Sequence, residues 1–163
     1  MKTPLINASA LVLLLIGVQG RAADSAATSA ELDAFWAEVS RTVAVGDFEG
    51  YAATYHRDAI LVSLANETSY PIALALTGWQ QGFEDSKNGK VEANVEFRFT
   101  QRLNDETTAH ETGIFHYTAR PEEGEATDQY LHFEALLVKT TSWKMMMEYQ
   151  KVPATKEEWA AAD

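Results

Sequence analysis

Two pairs of residues have the types and spacing for proton transfer. His132 and Glu134 stand two apart in the segment Gln129–Thr140, so on a β-strand both project from one face, with Tyr130 beside them. Leu131, Phe133 and Ala135 fall on the other face. An imidazole next to a carboxylate is an acid/base pair if a substrate comes within reach. Which face looks inward depends on register, because a slip of one residue exchanges the two. The second pair, His56 and Asp58, precedes the apolar run Ala59–Leu64. It offers a His–carboxylate dyad, or else Asp58 hydrogen-bonds the backbone of a turn before a strand. His110 and His116 share a strand parity, with Glu111 nearby. A metal needs three or four convergent ligands, and no such spacing occurs, so neither metal nor cofactor is expected. The chain has no cysteine, which removes disulfides, thiolate metal sites and thiol nucleophiles.

The elements that must position these residues are legible from periodicity. Val91, Ala93, Val95, Phe97 and Phe99 alternate with Glu92, Asn94, Glu96, Arg98 and Thr100, the period of two of a half-buried strand. Strands are expected over Val91–Leu103, Thr108–Ala119, Gln129–Thr140 and Trp143–Val152, with turns at Asn104-Asp105, Pro121–Gly124 and Thr141-Ser142. A strand of about 13 residues is roughly 43 Å long and must twist and bend, so the sheet should be strongly curved.

The N-terminal half reads as helices that need a sheet to cover them. Leu32, Phe35, Trp36, Val39 and Val43 form one stripe. Thr28 and Glu31 have capping-box spacing for the start of that helix. Gly46 should end it and Asp47 should cap a short helix over Phe48–Tyr55. A short strand is expected over Asp58–Leu64. Tyr70–Leu76 fits strand or helix. Thr77–Gln80 reads as another cap, before a helix that carries Trp79 and Phe83 and stops at Asn88-Gly89. Thr155–Glu158 caps a last helix holding Trp159, or that end frays.

Met145 and Met147 are expected on one face of their strand and Met146 on the other. A strand apolar on both sides is covered on both, by the helices and by a second subunit, so a homodimer through the sheet is expected.

Length and charge bound the rest. The 163 residues contain no repeat and point to one domain. The formal net charge of −11 disfavours nucleic acid, whose phosphates need clustered Lys and Arg. Lys2 followed by the apolar run Ala10–Val18 reads as a signal peptide over residues 1–22, with small residues near Gly20 and Ala22. The run is too short for a membrane span. The mature protein would be secreted or periplasmic, with no membrane association. Residues 23–30 read as a flexible linker, 31–152 as the domain and 153–163 as a C-terminal tail.

The motifs Ala44-Val45-Gly46-Asp47-Phe48, Tyr55-His56-Arg57-Asp58-Ala59-Ile60-Leu61 and Leu76-Thr77-Gly78-Trp79, in this order before long antiparallel strands, resemble the NTF2-like superfamily. The similarity is strongest to its SnoaL-like and DUF4440-type domains and covers about Glu31–Lys151. The resemblance implies an α+β cone: a curved antiparallel sheet wrapped around N-terminal helices, with a pocket at one end. It also implies that aromatic residues on core-facing stripes, Trp36, Tyr55, Trp79 and Phe83, together with Tyr130, wall that pocket and bind a small apolar molecule.

Members include ketosteroid isomerases and dehydratases as well as binding and assembly domains, and fold alone does not choose among them. The catalytic Tyr, base and second carboxylate of the isomerases map near Val39, Ser63 and Glu134. Two of those three cannot do the chemistry. The expectation is therefore a small-molecule-binding domain. The alternatives are a lyase or isomerase of an apolar carbonyl compound using Glu134/His132 or His56/Asp58, and a protein-interaction module.

Overall fold

The computed structural model describes the backbone of residues 16–162 and the side chains of residues 26–162. Residues 1–15, which hold most of the signal-peptide motif, lie outside the described residues. The elements are α1 (Ile16–Val45), α2 (Phe48–Ala53), β1 (Tyr55–Ser63), β2 (Thr68–Pro71), α3 (Ile72–Lys87), β3 (Val91–Asn104), β4 (Thr108–Pro121), β5 (Thr127–Lys139), β6 (Trp143–Pro153) and α4 (Lys156–Ala161). The six strands form one open, curved sheet in the order β2-β1-β6-β5-β4-β3. All neighbours are antiparallel except β1 and β6, which run in parallel. This is the expected α+β cone, with one parallel pair in it.

Helix α1 lies in the concave side of the sheet and buries Leu32, Phe35, Trp36 and Val39 there. It runs straight through residues 23–30, the expected linker. That stretch is rich in alanine, the strongest helix former. Because the helix continues upstream, Thr28 is an interior residue and no capping box forms. Glu31 instead accepts hydrogen bonds from Lys139 Nζ at 2.5 Å and Trp143 Nε1 at 2.9 Å, tying α1 to the sheet. Gly46 ends α1 at φ +69°, where a Cβ would stand 2.3 Å from the Lys87 backbone nitrogen. Only glycine lets the ends of α1 and α3 approach so closely. Asp47 caps α2 by accepting from the Gly50 N–H at 2.9 Å.

Two expected boundaries move. Tyr55, His56, Arg57 and Asp58 belong to β1 rather than to a helix end and a turn, because the Met145 N–H donates to the Thr54 carbonyl and starts the parallel pairing there. Thr77 is interior to α3, which starts at Ile72 just after Pro71; its hydroxyl bonds back to the Ala73 carbonyl at 2.9 Å. Proline fits that boundary because it fixes φ and lacks an N–H that the first turn would leave unpaired.

Strand β3 places Ala93, Val95, Phe97 and Phe99 inside, as its alternation predicts. A register shift between Phe99 and Gln101 then turns Arg102 inward, opposite Glu111. A second shift, where Leu136 pairs with Met147 and Leu137 with Met145, breaks the alternation of β6. A bulge of this kind changes which side chains face the core. Met145 and Met147 therefore do not share a face: Met145 is buried inside, Met147 lies outside, and Glu148 and Gln150 join the concave surface.

Of the expected tail 153–163, the described residues 153–162 are not free. Their helix α4 has the expected capping box between Thr155 and Glu158. It docks on the convex face, where Arg98 Nη1 donates to the Trp159 and Ala162 carbonyls at 2.8 and 3.3 Å and the Arg98 guanidinium stacks on the Trp159 ring. Beneath it, Ile114 is buried in register between Arg98 and His132.

Candidate functional site

The cone is not packed solid. Between α1, α2, α3 and the sheet it encloses a cavity of about 440 Å³, within the range of small-molecule sites. Its floor is an aromatic cluster: the Trp36 ring lies 4.5 Å from Phe97 and 5.6 Å from Phe133, and Phe115 lies 6.0 Å from Phe133. Tyr51, Tyr55, Trp79 and Phe83 form the opposite wall. Gly78 and Gly82 of α3 lie at the rim, exposed, with nothing within 4 Å of where a Cβ would stand.

Ser86, Tyr117 and Gln129 add polar groups to this lining, and four more polar residues form a hydrogen-bonded cluster in it. The Tyr55 hydroxyl donates to Glu148 Oε2, Gln150 Nε2 donates to Glu148 Oε1 at 2.7 Å, and the Tyr51 and Tyr55 hydroxyls are 3.0 Å apart. The elements bring these groups together in a definite way. Tyr51 comes from α2 and Tyr55 from the first residue of β1, whose parallel partner β6 carries Glu148 and Gln150 past the bulge. Burial raises Glu148 above the ordinary carboxylate range, and the Tyr55 and Gln150 donors oppose that only in part. Burial, then the Glu148 charge, pushes both tyrosine hydroxyls well above their usual range. A carboxyl raised by burial inside a cavity is a mark of a functional site.

A second buried carboxylate lies behind Trp36, in the same register row as Glu148. Glu111, at 0 % exposure, accepts from Trp36 Nε1 and from Arg102 Nε, each at 2.5 Å, and Arg102 Nη1 reaches Asp33 at 2.5 Å. This network fixes α1 against β3 and β4 and sets the orientation of Trp36, which walls the cavity.

Of the residues singled out in the sequence, Trp36, Tyr55, Trp79 and Phe83 line the cavity. Tyr130, His132 and Glu134 lie on the other side of β5, because Leu131 and Phe133 take the concave face. There Glu134 pairs with Lys151 at 2.5 Å and lies 3.5 Å from His110. The Lys151 ammonium, donating to Glu134, holds its carboxyl below the ordinary range, opposite to what a general acid needs. His132 lies 3.5 Å from Glu158 of α4, and Tyr130 stacks on His116 at 4.1 Å. These three therefore stand outside the cavity with the α4 contact surface, and His132 and Glu134 do not form a pair. His56 and Asp58 are 3.7 Å apart on β1, with Asp58 largely exposed, and neither lines the cavity.

Glu148 and Gln150 escape the sequence reading because their inward placement depends on the β6 bulge. The available signal was two polar residues at alternate positions, Glu148 and Gln150, in a strand otherwise rich in apolar residues. Among the described residues no three His, Cys, Asp or Glu side chains converge as a metal site, and no helix is long and apolar enough to cross a membrane.

No family model and no curated protein matches the sequence. Solved structures do match its shape. A conserved protein from Planctomyces limnophilus superposes with a TM-score of 0.66 at 12% identity, over 78% of this chain and 98% of that one. An NTF2-like protein of unknown function from Shewanella oneidensis gives 0.61 at 13% identity, over 77% and 99%. An NTF2-like superfamily protein from Salmonella enterica gives 0.60 at 11% identity, over 81% and 95%. With its open curved sheet, the helices seated in its hollow and these structural relatives, the chain has the NTF2-like fold.

Proposed function

We propose that this chain is an exported small-molecule-binding domain, whose guest has an apolar body and one polar end. The observation that carries this is the cavity itself: about 440 Å³, walled mainly by aromatic and aliphatic side chains, with Tyr51, Tyr55, Glu148 and Gln150 joined in a hydrogen-bonded polar cluster and Ser86, Tyr117 and Gln129 as further polar lining. Such a surface is costly to leave wet, and an apolar guest releases that water. The apolar run Ala10–Val18 supports export.

The test is binding of the neutral dye Nile red, whose emission rises in apolar surroundings. Gly82→Leu serves as the blocked variant, because Gly82 lines the rim and a Cβ added there meets nothing within 4 Å. Bright emission that Gly82→Leu abolishes supports the reading. Equal emission from both proteins, or none from either, sinks it.

A second reading is proton transfer on an apolar carbonyl compound, with Glu148 as the acid/base group and Tyr55 beside it. It is favoured by the burial that raises the Glu148 carboxyl. Turnover of such a compound that vanishes in Glu148→Gln, with dye binding retained, would select it.

The partner is a second copy of the chain, joined through the convex face. Helix α4 covers the Arg98–Ile114–His132 row of that face. It leaves open the row beyond Thr112–Glu134–Tyr149, in which Ile60, Met147, Leu136, His110 and Leu103 pair across five strands. Ile60, Leu136 and Leu103 are exposed. Light scattering should give a dimer mass, reduced to a monomer by Leu136→Lys.

A further inference from the structure

The concave face carries two buried carboxylates in one register row, Arg102–Glu111–Ala135–Glu148. Glu111 has its cation: Arg102 lies 2.5 Å away. Glu148 has none. Its two oxygens meet a tyrosine hydroxyl and a glutamine amide, both neutral donors. The titratable groups around it are Tyr51 and Tyr55 from α2 and β1, with Tyr117 of β4 lining the same cavity. The cavity-lining residues of α1, α3, β3 and β5 contribute no titratable side chain, and no lysine, arginine or histidine is among them.

Hydrogen-bond capacity points the same way. A carboxylate has about four acceptor sites, and Tyr55 and Gln150 occupy two of those on Glu148. While Glu148 is ionised, as it is beside a bound cation, it takes the Tyr55 hydroxyl proton, so a ligand carbonyl would have to take that donor away. A ligand that itself donates meets acceptor sites that are still open.

The remaining wall suits positive charge. Nine aromatic side chains line the cavity, among them Trp36, Tyr51, Trp79 and Phe115. Aromatic faces attract a cation, most strongly where water is excluded. The formal charge of the chain, −11, adds a long-range field of the same sign.

We infer that the cavity takes an ammonium ion on an apolar body, with its nitrogen donating to Glu148 and its body packed among the aromatic faces. This deepens the small-molecule reading and rests on it. Burial favours the protonated Glu148 in the empty cavity, whereas an ammonium ion favours the carboxylate. At a pH between the Glu148 value in the empty cavity and its lower value beside the ammonium ion, binding expels a proton: Glu148–COOH and the ammonium ion give the ion pair and one H⁺ to solvent.

The experiment compares tryptamine with tryptophol, which share the indole-ethyl body and differ in carrying an ammonium or a hydroxyl group. Calorimetry is run over a series of pH values, from acidic to neutral, in two buffers of different ionisation enthalpy at each, on wild type and Glu148→Gln. The expected result is tryptamine tighter than tryptophol by about tenfold or more, the size of one well-desolvated cation–π contact or ion pair. Its binding heat should depend on buffer in the sense of proton release, and that dependence should be absent for tryptophol. In Glu148→Gln the preference should vanish while tryptophol still binds.

Nile red binding without a preference for tryptamine overturns the ammonium inference and leaves the small-molecule reading standing. Failure of Nile red to bind overturns both. A preference with no proton release overturns the exchange at Glu148. If Glu148→Gln fails to fold, the matched pair and the buffer dependence on wild type still decide.

Discussion

Removing the Glu111 carboxylate should cost this protein more than removing any exposed charge. Glu111 is fully buried, and three interactions converge on it or pass through its partner: Trp36 Nε1, Arg102 Nε and the outer pair of Arg102 with Asp33. Breaking a buried pair by deleting one member typically costs about 3–5 kcal/mol, because the other charge stays desolvated. Here Arg102 keeps Asp33, which is about two-thirds exposed, so that part of the cost falls near the lower end, about 3 kcal/mol. Trp36 loses its only acceptor in a buried setting, worth roughly 1–3 kcal/mol more. The two do not add fully, since one carboxylate serves both.

The expected loss for Glu111→Ala is therefore about 3–5 kcal/mol, a fall in melting temperature on the order of 10 °C for a chain of this size. Urea unfolding read by tryptophan fluorescence measures it. A double-mutant cycle with Arg102→Met isolates the pair. A penalty for Glu111→Ala below about 1 kcal/mol, the range of exposed pairs, would refute the view that this network holds α1 to the sheet.

Further outcomes follow from the same contacts. Burial raises the Glu148 carboxyl, so its contribution is most favourable at pH below the ordinary carboxylate value and is lost as pH rises through its folded value. Glu148→Gln should therefore gain stability over wild type progressively as pH rises, read as the difference between their urea midpoints; a constant difference would contradict the assignment. Gly78→Ala should stabilise α3 by up to about 1 kcal/mol, since the new methyl meets open space; a loss in thermal melting would show that the rim needs glycine there. Trp159→Ala should destabilise by removing the Arg98 stack and the ring contacts with His116 and Tyr130, and it should raise hydrogen exchange at the centres of β3 and β4. Unchanged exchange would mean that α4 is only loosely held. Lys151→Met should leave Nile red binding unchanged, because Lys151 pairs with Glu134 outside the cavity; loss of dye would place that pair in the site.

The architecture was legible because its signals are local. Alternation in Val91–Phe99, the stripe Leu32–Val43, Gly46 before Asp47 and the Thr155–Glu158 box each determine a conformation over a few residues, and β3 to β6, α2 and α4 lie close to where those signals put them. The aromatic wall was legible for the same reason: Trp36, Trp79 and Phe83 sit at helical spacing, and a helix laid in a curved sheet turns that face inward.

The polar centre of the cavity was decided elsewhere. Alternation counted along the sequence would place Met147 beside Met145 and leave Glu148 outside. The bulge opposite Leu136 and Leu137 reverses this, and nothing within β6 alone requires it; it is settled by how β6 fits between β5 and its parallel neighbour β1. The same holds for β5, where the competition between Phe133 and His132 for the concave face is resolved by the aromatic cluster that Phe133 joins. The sequence alone determined which segments become helix or strand, because backbone conformation follows from neighbours a few residues away. Only the tertiary structure decided which carboxylate is buried, because strand register and bulges are set by partners across the sheet, about 90 residues apart in the case of Tyr55 and Glu148.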